Sequence, residues 1–276
     1  VLFRGSDDGD PHQVRRRGGP GVAREKTGQL RQRPLAAGGS AREGFDWDTA
    51  DCLIGYAAVG MDAADLANIV ALWMCLVVLL SFHEYAHAWM AHKCGDDTAR
   101  MMGRMTINPI VHIDLLGTVV LPLMMLTFSP GFMLFGWAKP VPVNPSNLSN
   151  RKRDDILISM AGPAMNLILA FLLLAILRLL VELPESFSES AIVAQLPQIA
   201  IISLILCVFN LMPIPPLDGS HVMRHVVGMS EETYRNIASY GLFILIVVIN
   251  IPYVRDALQF VVGHLYSFML TVLLFP

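Results

Sequence analysis

The stretch SFHEYAHAWMAH, residues 81–92, decides how this chain is read. It continues an unbroken apolar run from Ile69 to Leu80, which suits lipid. A charged side chain in the bilayer interior costs about 2.5 kcal/mol or more. His83, Glu84 and His87 therefore need a compensating partner. On a helix, residues four apart differ by about 400° of rotation and about 6 Å of rise. His83 and His87 then project from one face and can grip one ion. Glu84 is turned about 100° from His83, near enough to reach a water on that ion but not aimed to ligate it.

H-E-x-x-H on a helix is the arrangement of zinc metalloproteases, in which proton-free imidazole nitrogens hold the metal. Coordination would offset the cost of placing these groups in lipid. The bland alternative is a pair of histidines lining a proton path or bonded to other polar groups. A chance H-E-x-x-H in a chain of this composition is on the order of one in a hundred. His92 is read as capping the helix end or facing water. A catalytic zinc takes three protein ligands and keeps one position open. FNLMPIPPLDGSH, residues 209–221, offers Asp218, in a segment that its prolines keep from being helical. Leu-Asp-Gly by itself is an ordinary turn signal; its weight comes from the His-Glu-His helix.

Composition fits this setting. Of 276 residues, 54% are hydrophobic and only 16% charged, and the mean hydropathy is +0.52. A typical soluble domain needs more surface charge. The net charge of −3 gives no argument for nucleic acid. The four cysteines, Cys52, Cys75, Cys94 and Cys207, form no close pair and suggest neither a disulfide framework nor a zinc ribbon. Residues 1–60 differ: rich in Gly, Arg, Pro and Gln, they lack apolar periodicity and are expected to form a disordered tail or foreign extension. The membrane-embedded domain is predicted over 61–276, with Met61 as a candidate natural start.

A span needs about 20 largely apolar residues. The chain offers about six: Leu66–Ala91, Ile113–Phe135, Ile156–Val181, Ala191–Met212, Asn236–Ile251 and Ala257–Phe275. The predicted fold is an all-α polytopic membrane protein. Arg151, Lys152 and Arg153 precede the third span and Glu182, Glu185 and Glu189 follow it, which places the 151 side in the cytoplasm. His221, Arg224, His225 and Arg235 agree, as do Lys93, Arg100 and Arg104. If 93–104 and 151–153 share a side, the apolar stretch between them cannot simply cross. Either 113–150 enters and returns as a re-entrant or interfacial segment, or one basic loop is misassigned. FGWAKPVPVNPSN, rich in helix breakers, favours the re-entrant reading.

With these motifs in order, the chain resembles the site-2 protease family of intramembrane zinc metalloproteases, in its compact branch without a PDZ domain. HEYAH matches the family's HExxH, NLMPIPPLDG its N-x-x-P-x-P-x-x-D-G pattern, and AGPAMN its GxxxN element at Gly162 and Asn166. GDDTARMMGRMTINPIVHIDLLGT and GWAKPVPVNP are also similar to that branch. The resemblance implies one Zn2+ per chain held by His83, His87 and Asp218, with Glu84 as general base. It implies that Asn166 and Asn210 lie near the metal, where an amide could hold a substrate carbonyl or oxyanion; for Asn166 an interhelical hydrogen bond is the competing reading. His112 and Asp114 are read as loop residues and His264 as a structural contact. The implied activity is hydrolysis of peptide bonds within or beside transmembrane segments of other proteins. The implied location is multi-pass in a membrane, the cell membrane in a bacterium. The rival is a non-catalytic metal-binding protein or metal carrier, which would be expected to place ligand pairs along a path rather than at one level.

Overall fold

A backbone in lipid must satisfy its own hydrogen bonds, and a helix does so locally. The computed structural model describes residues 63–120, 136–182 and 191–274, and among these every regular element is helical. In chain order they are α1 (Ala63–Lys93), α2 (Thr98–Met101), α3 (Pro109–His112), a π-helical stretch Leu115–Val120, a 3₁₀ turn Pro145–Asn147, α4 (Arg151–Val181), α5 (Ala191–Asn210), α6 (Asp218–Val227), α7 (Glu231–Ala238), α8 (Gly241–Ile249) and α9 (Pro252–Leu274).

Four stretches are long and apolar enough to cross a membrane: Val70–Lys93, Arg151–Val181, Val193–Asn210 and Pro252–Leu273. They match the first, third, fourth and sixth stretches expected from the sequence. The fifth, expected as one helix over Asn236–Ile251, is instead α7 and α8, bent by 59° at their junction. The reason lies in composition. α7 carries Glu231, Glu232 and Arg235, whereas α8 is wholly apolar, so the two suit different environments. Counted as one span, the pair brings the total to five. Of the second expected stretch, 121–135 lies outside the described residues, as does the predicted tail over 1–60.

α4 is the central helix, packing on both α1 and α5. Asn150 caps it by accepting from Arg153 N, while Asp154 accepts from Asn150 N at 2.7 Å. Ala170 and Leu174 of α4 form a core with Ala200 and Leu204 of α5 and Val262, Tyr266 and Met269 of α9.

At one end of the bundle the loops are tied by buried polar groups. Asp96, with no exposed surface, accepts from Thr98 N and Oγ1, Asn144 N and Asn147 Nδ2. Burial pushes its carboxyl up, but these bonds outweigh that and hold it below the usual carboxylate range. Leu148 packs on Ala91 and Ile158. Residues 93–104 and 144–153 therefore lie at the same end of α1 and α4. α6 joins them there: Asp155 of α4 accepts from Arg224 at 3.0 Å and pairs with His221 and His225.

The described residues on either side of 121–135 run side by side. Trp137 N donates to Gly117 O at 3.3 Å, Lys139 N to His112 O at 2.8 Å, and Thr118 Oγ1 to Trp137 O at 2.8 Å. Trp73, near the far end of α1, donates to Thr118 O. From there an extended segment returns along α1: Trp137 is joined to Thr118, Val141 to Glu84, and Asn144 and Asn147 to Asp96. Trp73 precedes Glu84 by eleven residues, about 16 Å of helix. Four extended residues from Trp137 to Val141 cover about 13 Å, so the two paths keep pace.

Candidate active site

His83 and His87 sit on successive turns of α1 and are buried, 4% and 9% exposed. Asp218, the first residue of α6, comes to them across the bundle. His83 Nε2 stands 3.0 Å from His87 Nε2 and 3.1 Å from Asp218 Oδ2, and His87 Nε2 stands 3.4 Å from the same oxygen. Among the described residues this is the group of three whose donor atoms could hold a metal ion.

The three residues fit zinc. Ligands on a tetrahedral zinc with bonds of about 2.0–2.2 Å stand about 3.3–3.5 Å apart, near the observed edges. His87 Nδ1 lies 2.7 Å from Ile158 O. A carbonyl only accepts, so Nδ1 carries the proton and, in the neutral ring, Nε2 keeps its lone pair. That lone pair faces a carboxylate oxygen that is itself buried without a hydrogen-bond donor. Lone pairs converging in a buried place need a proton or a cation between them, and the spacing of these three suits a zinc ion.

α4 approaches this pair closely. A Cβ added at Gly162 would lie within 2.6 Å of His83 Nε2 and nearer still to His87 Nε2, so only glycine fits there. Gly219, beside Asp218, is likewise packed on the Leu211 backbone, which a Cβ would strike. The two glycines let α4 and α6 bring their polar groups to α1.

A cavity of about 660 Å³ opens on the three ligand candidates. Leu76, Leu80, Ile205, Phe209 and Leu245 make its apolar part; Glu84, Asp155, Asn210 and His221 add polar groups. Glu84 Oε2 accepts from Val141 N at 2.9 Å. The extended segment that supplies this N–H is held by Arg104, which donates to Lys139 O at 2.6 Å and Pro140 O at 3.3 Å.

The other sequence-derived candidates sort as follows. Asn166 lies against His83, its amide 3.0 Å from Nδ1. Asn210 lines the cavity, but its amide donates back to Leu206 O at 2.9 Å, within its own helix. His92 pairs with Asp97 at 2.7 Å, away from the ligand group. His112 contacts Thr106 O, and Asp114 caps the Leu115–Val120 stretch by accepting from Leu116 and Gly117 N. His264 contacts Phe260 O of α9. Sequence reasoning missed the Ile158 carbonyl, the Val141 N–H and the Asp155–His221 pair. A backbone carbonyl leaves no signature, but one faint signal existed: in Pro140-Val141-Pro142-Val143 the prolines lack N–H groups, so only Val141 and Val143 are left as backbone donors.

A family model described as Peptidase family M50 matches residues 71–188 and 181–249. A protein of Bacillus subtilis (strain 168) named "Putative zinc metalloprotease YwhC" is 38% identical over 183 residues, 64% of this chain and 78% of its own length. Proteins named "Putative zinc metalloprotease Rip2" are similar too. That of Mycolicibacterium smegmatis is 30% identical over 220 residues, 79% of this chain and 76% of its own. That of Mycobacterium tuberculosis (strain ATCC 25618 / H37Rv) is 32% identical over 208 residues, 70% and 75%. No solved structure matches. With a matched model covering most of the bundle and relatives of this identity, the chain belongs to the site-2 protease family, Peptidase family M50, and is a zinc metallopeptidase.

Proposed function

We propose that this chain is an intramembrane protease that cleaves peptide bonds in or beside transmembrane segments of other membrane proteins. The observation that carries the reading is the convergence of the Asp218 carboxylate on His83 and His87, which sit on a helix long and apolar enough to cross a membrane, beside a largely apolar cavity. His83, His87 and Asp218 would hold one zinc ion per chain. The ion, when bound, supplies Lewis-acid polarisation and acidifies water. Glu84 accepts a proton from the attacking water and returns one to the leaving amine. Its Oε2 is engaged by Val141 N–H, which leaves Oε1 for that transfer. The cavity wall takes apolar side chains of a substrate that has unwound locally, because helical carbonyls are tied in their own hydrogen bonds. Asn210 at the cavity wall is the better placed of the two asparagines to meet a substrate carbonyl.

The topology that fits is multi-pass in the cell membrane. The four apolar helices and the α7–α8 pair would cross, and, of the stretch 113–150, residues 113–120 would enter and 136–150 return on the side of 93–104 and 151–153. The paired ends of that segment support this over the sixth crossing. Single cysteines at 152 and 185 should then label from the cytoplasmic and opposite sides; labelling of position 185 from the cytoplasm reverses the orientation.

The deciding experiment places purified protein in lipid vesicles with a membrane-spanning peptide substrate. Cleavage by the wild type and none by a zinc-retaining Glu84→Gln variant is expected. Equal cleavage by the two removes Glu84 from the mechanism. Full zinc binding with no cleavage of any membrane substrate by the wild type favours the carrier reading.

A further inference from the structure

Ligation by His83 Nε2 requires the proton of that ring to sit on Nδ1, and a buried ring N–H requires an acceptor. For His87 the Ile158 carbonyl fills that part. For His83 the neighbour at Nδ1 is the Asn166 amide, on a residue with no exposed surface. With the amide nitrogen 3.0 Å from Nδ1, the amide donates and the proton is forced onto Nε2, the atom facing Asp218 and His87. Asn166 Oδ1 is meanwhile buried without a partner. An orphaned amide oxygen beside an imidazole nitrogen is what a reversed amide produces, since the two amide orientations have nearly the same shape. Turned by 180°, Oδ1 accepts from His83 Nδ1–H, and Nε2 presents its lone pair to the other two donor atoms.

We propose that Asn166 is a positioning residue: its amide oxygen holds His83 in the tautomer and orientation that bind metal. This rests on the reading of His83 as a ligand. It gives the Gly162–Asn166 pair one joint purpose. The two lie one turn apart on α4; Gly162 admits the imidazoles and Asn166 orients one of them. Ser203 of α5, itself fully buried, donates to Asn166 O at 2.7 Å and pins this turn of α4. The role differs from the substrate-binding one expected for Asn166, because an oxygen engaged by His83 lies behind the ligand, away from the cavity.

The test is zinc affinity of the full chain, measured by competition with a chromophoric chelator, for the wild type, Asn166→Leu, Asn166→Asp and His83→Ala. Asn166→Leu keeps the side-chain volume and removes the acceptor; zinc binding should weaken about 10- to 100-fold. Asn166→Asp supplies a stronger acceptor and should bind at least as tightly as the wild type. Wild-type affinity in Asn166→Leu overturns the proposal, even where proteolysis is lost. Weakened affinity in Asn166→Asp overturns it as well, and this arm is decisive where the leucine variant fails to fold. Wild-type affinity in His83→Ala instead removes His83 from the ligand set, and with it the reading on which the proposal stands.

Discussion

The α1 wall of the cavity presents side chains at helical spacing, while another wall, made by residues between Gly136 and Val143, contributes a backbone N–H at Val141. On α1 the chemistry follows from residue identity: His83 and His87 share a face, and Glu84 lies a third of a turn away. On the extended wall it follows from which peptide groups are free. Pro140 and Pro142 have no N–H, and Val141 between them spends its own on Glu84. The two walls also differ in what holds them. α1 satisfies its backbone internally. The extended segment depends on Arg104, on His112 O and on Asp96. A helix tolerates membrane depth by itself; an irregular segment tolerates it only where protein satisfies its polar groups.

The comparison breaks most completely at the proposed metal ligands. His83→Ala and Asp218→Ala each remove one of three donors. Metal analysis of the purified variants should show loss of bound zinc, and chelation of the wild type should abolish proteolysis. Gly162→Ala should approach the same effect without touching a ligand, since a methyl there occupies the space of both imidazoles.

Next in size is Glu84→Gln, which keeps the shape of the side chain but cannot accept a proton as a carboxylate can. Its turnover should fall about 10² to 10⁴-fold with zinc retained. Loss of zinc together with activity would make Glu84 a structural or ligand residue.

The extended wall is probed by Val141→Pro. Val141 already precedes a proline, so its backbone is confined to extended conformations, and the substitution mainly deletes the N–H. Losing a hydrogen bond to a charged group costs about 1.5–3 kcal/mol. Turnover should fall roughly 10- to 100-fold with little change in KM, whereas Val141→Ala should remain near the wild type. Equal activity of the proline and alanine variants would show that the backbone wall does not serve Glu84.

The smallest effect is expected at Asp96, which anchors the far end of that wall. Asp96→Asn leaves several donors facing an amide and should lower stability by about 1–3 kcal/mol at neutral pH. Because the folded-state carboxyl is held below its ordinary value, its stabilisation is complete above the unfolded pKa of about 3.9 and is lost as the pH falls through the folded value. The gap between wild type and variant should therefore narrow below about pH 4, as thermal unfolding would record. A gap that does not change with pH would mean that Asp96 acts by shape and not by charge.

Residue spacing and composition alone determined the helical membrane character, the shared face of His83 and His87, and the candidacy of Asp218. Each depends on local geometry: the pitch of a helix, the length needed to cross lipid, the inability of proline to continue a helix. The sequence also exposed the conflict over 113–150, because charge bias is read loop by loop. Only the tertiary structure brought Asp218 to the histidines, paired the two ends of that segment, bent the fifth apolar stretch between α7 and α8, and set Ile158 O, Asn166 and Val141 N–H against His87, His83 and Glu84. Contacts between distant elements depend on how closely helices pack, and that in turn on glycines such as Gly162, whose missing side chain leaves nothing in the sequence to say what fills the space.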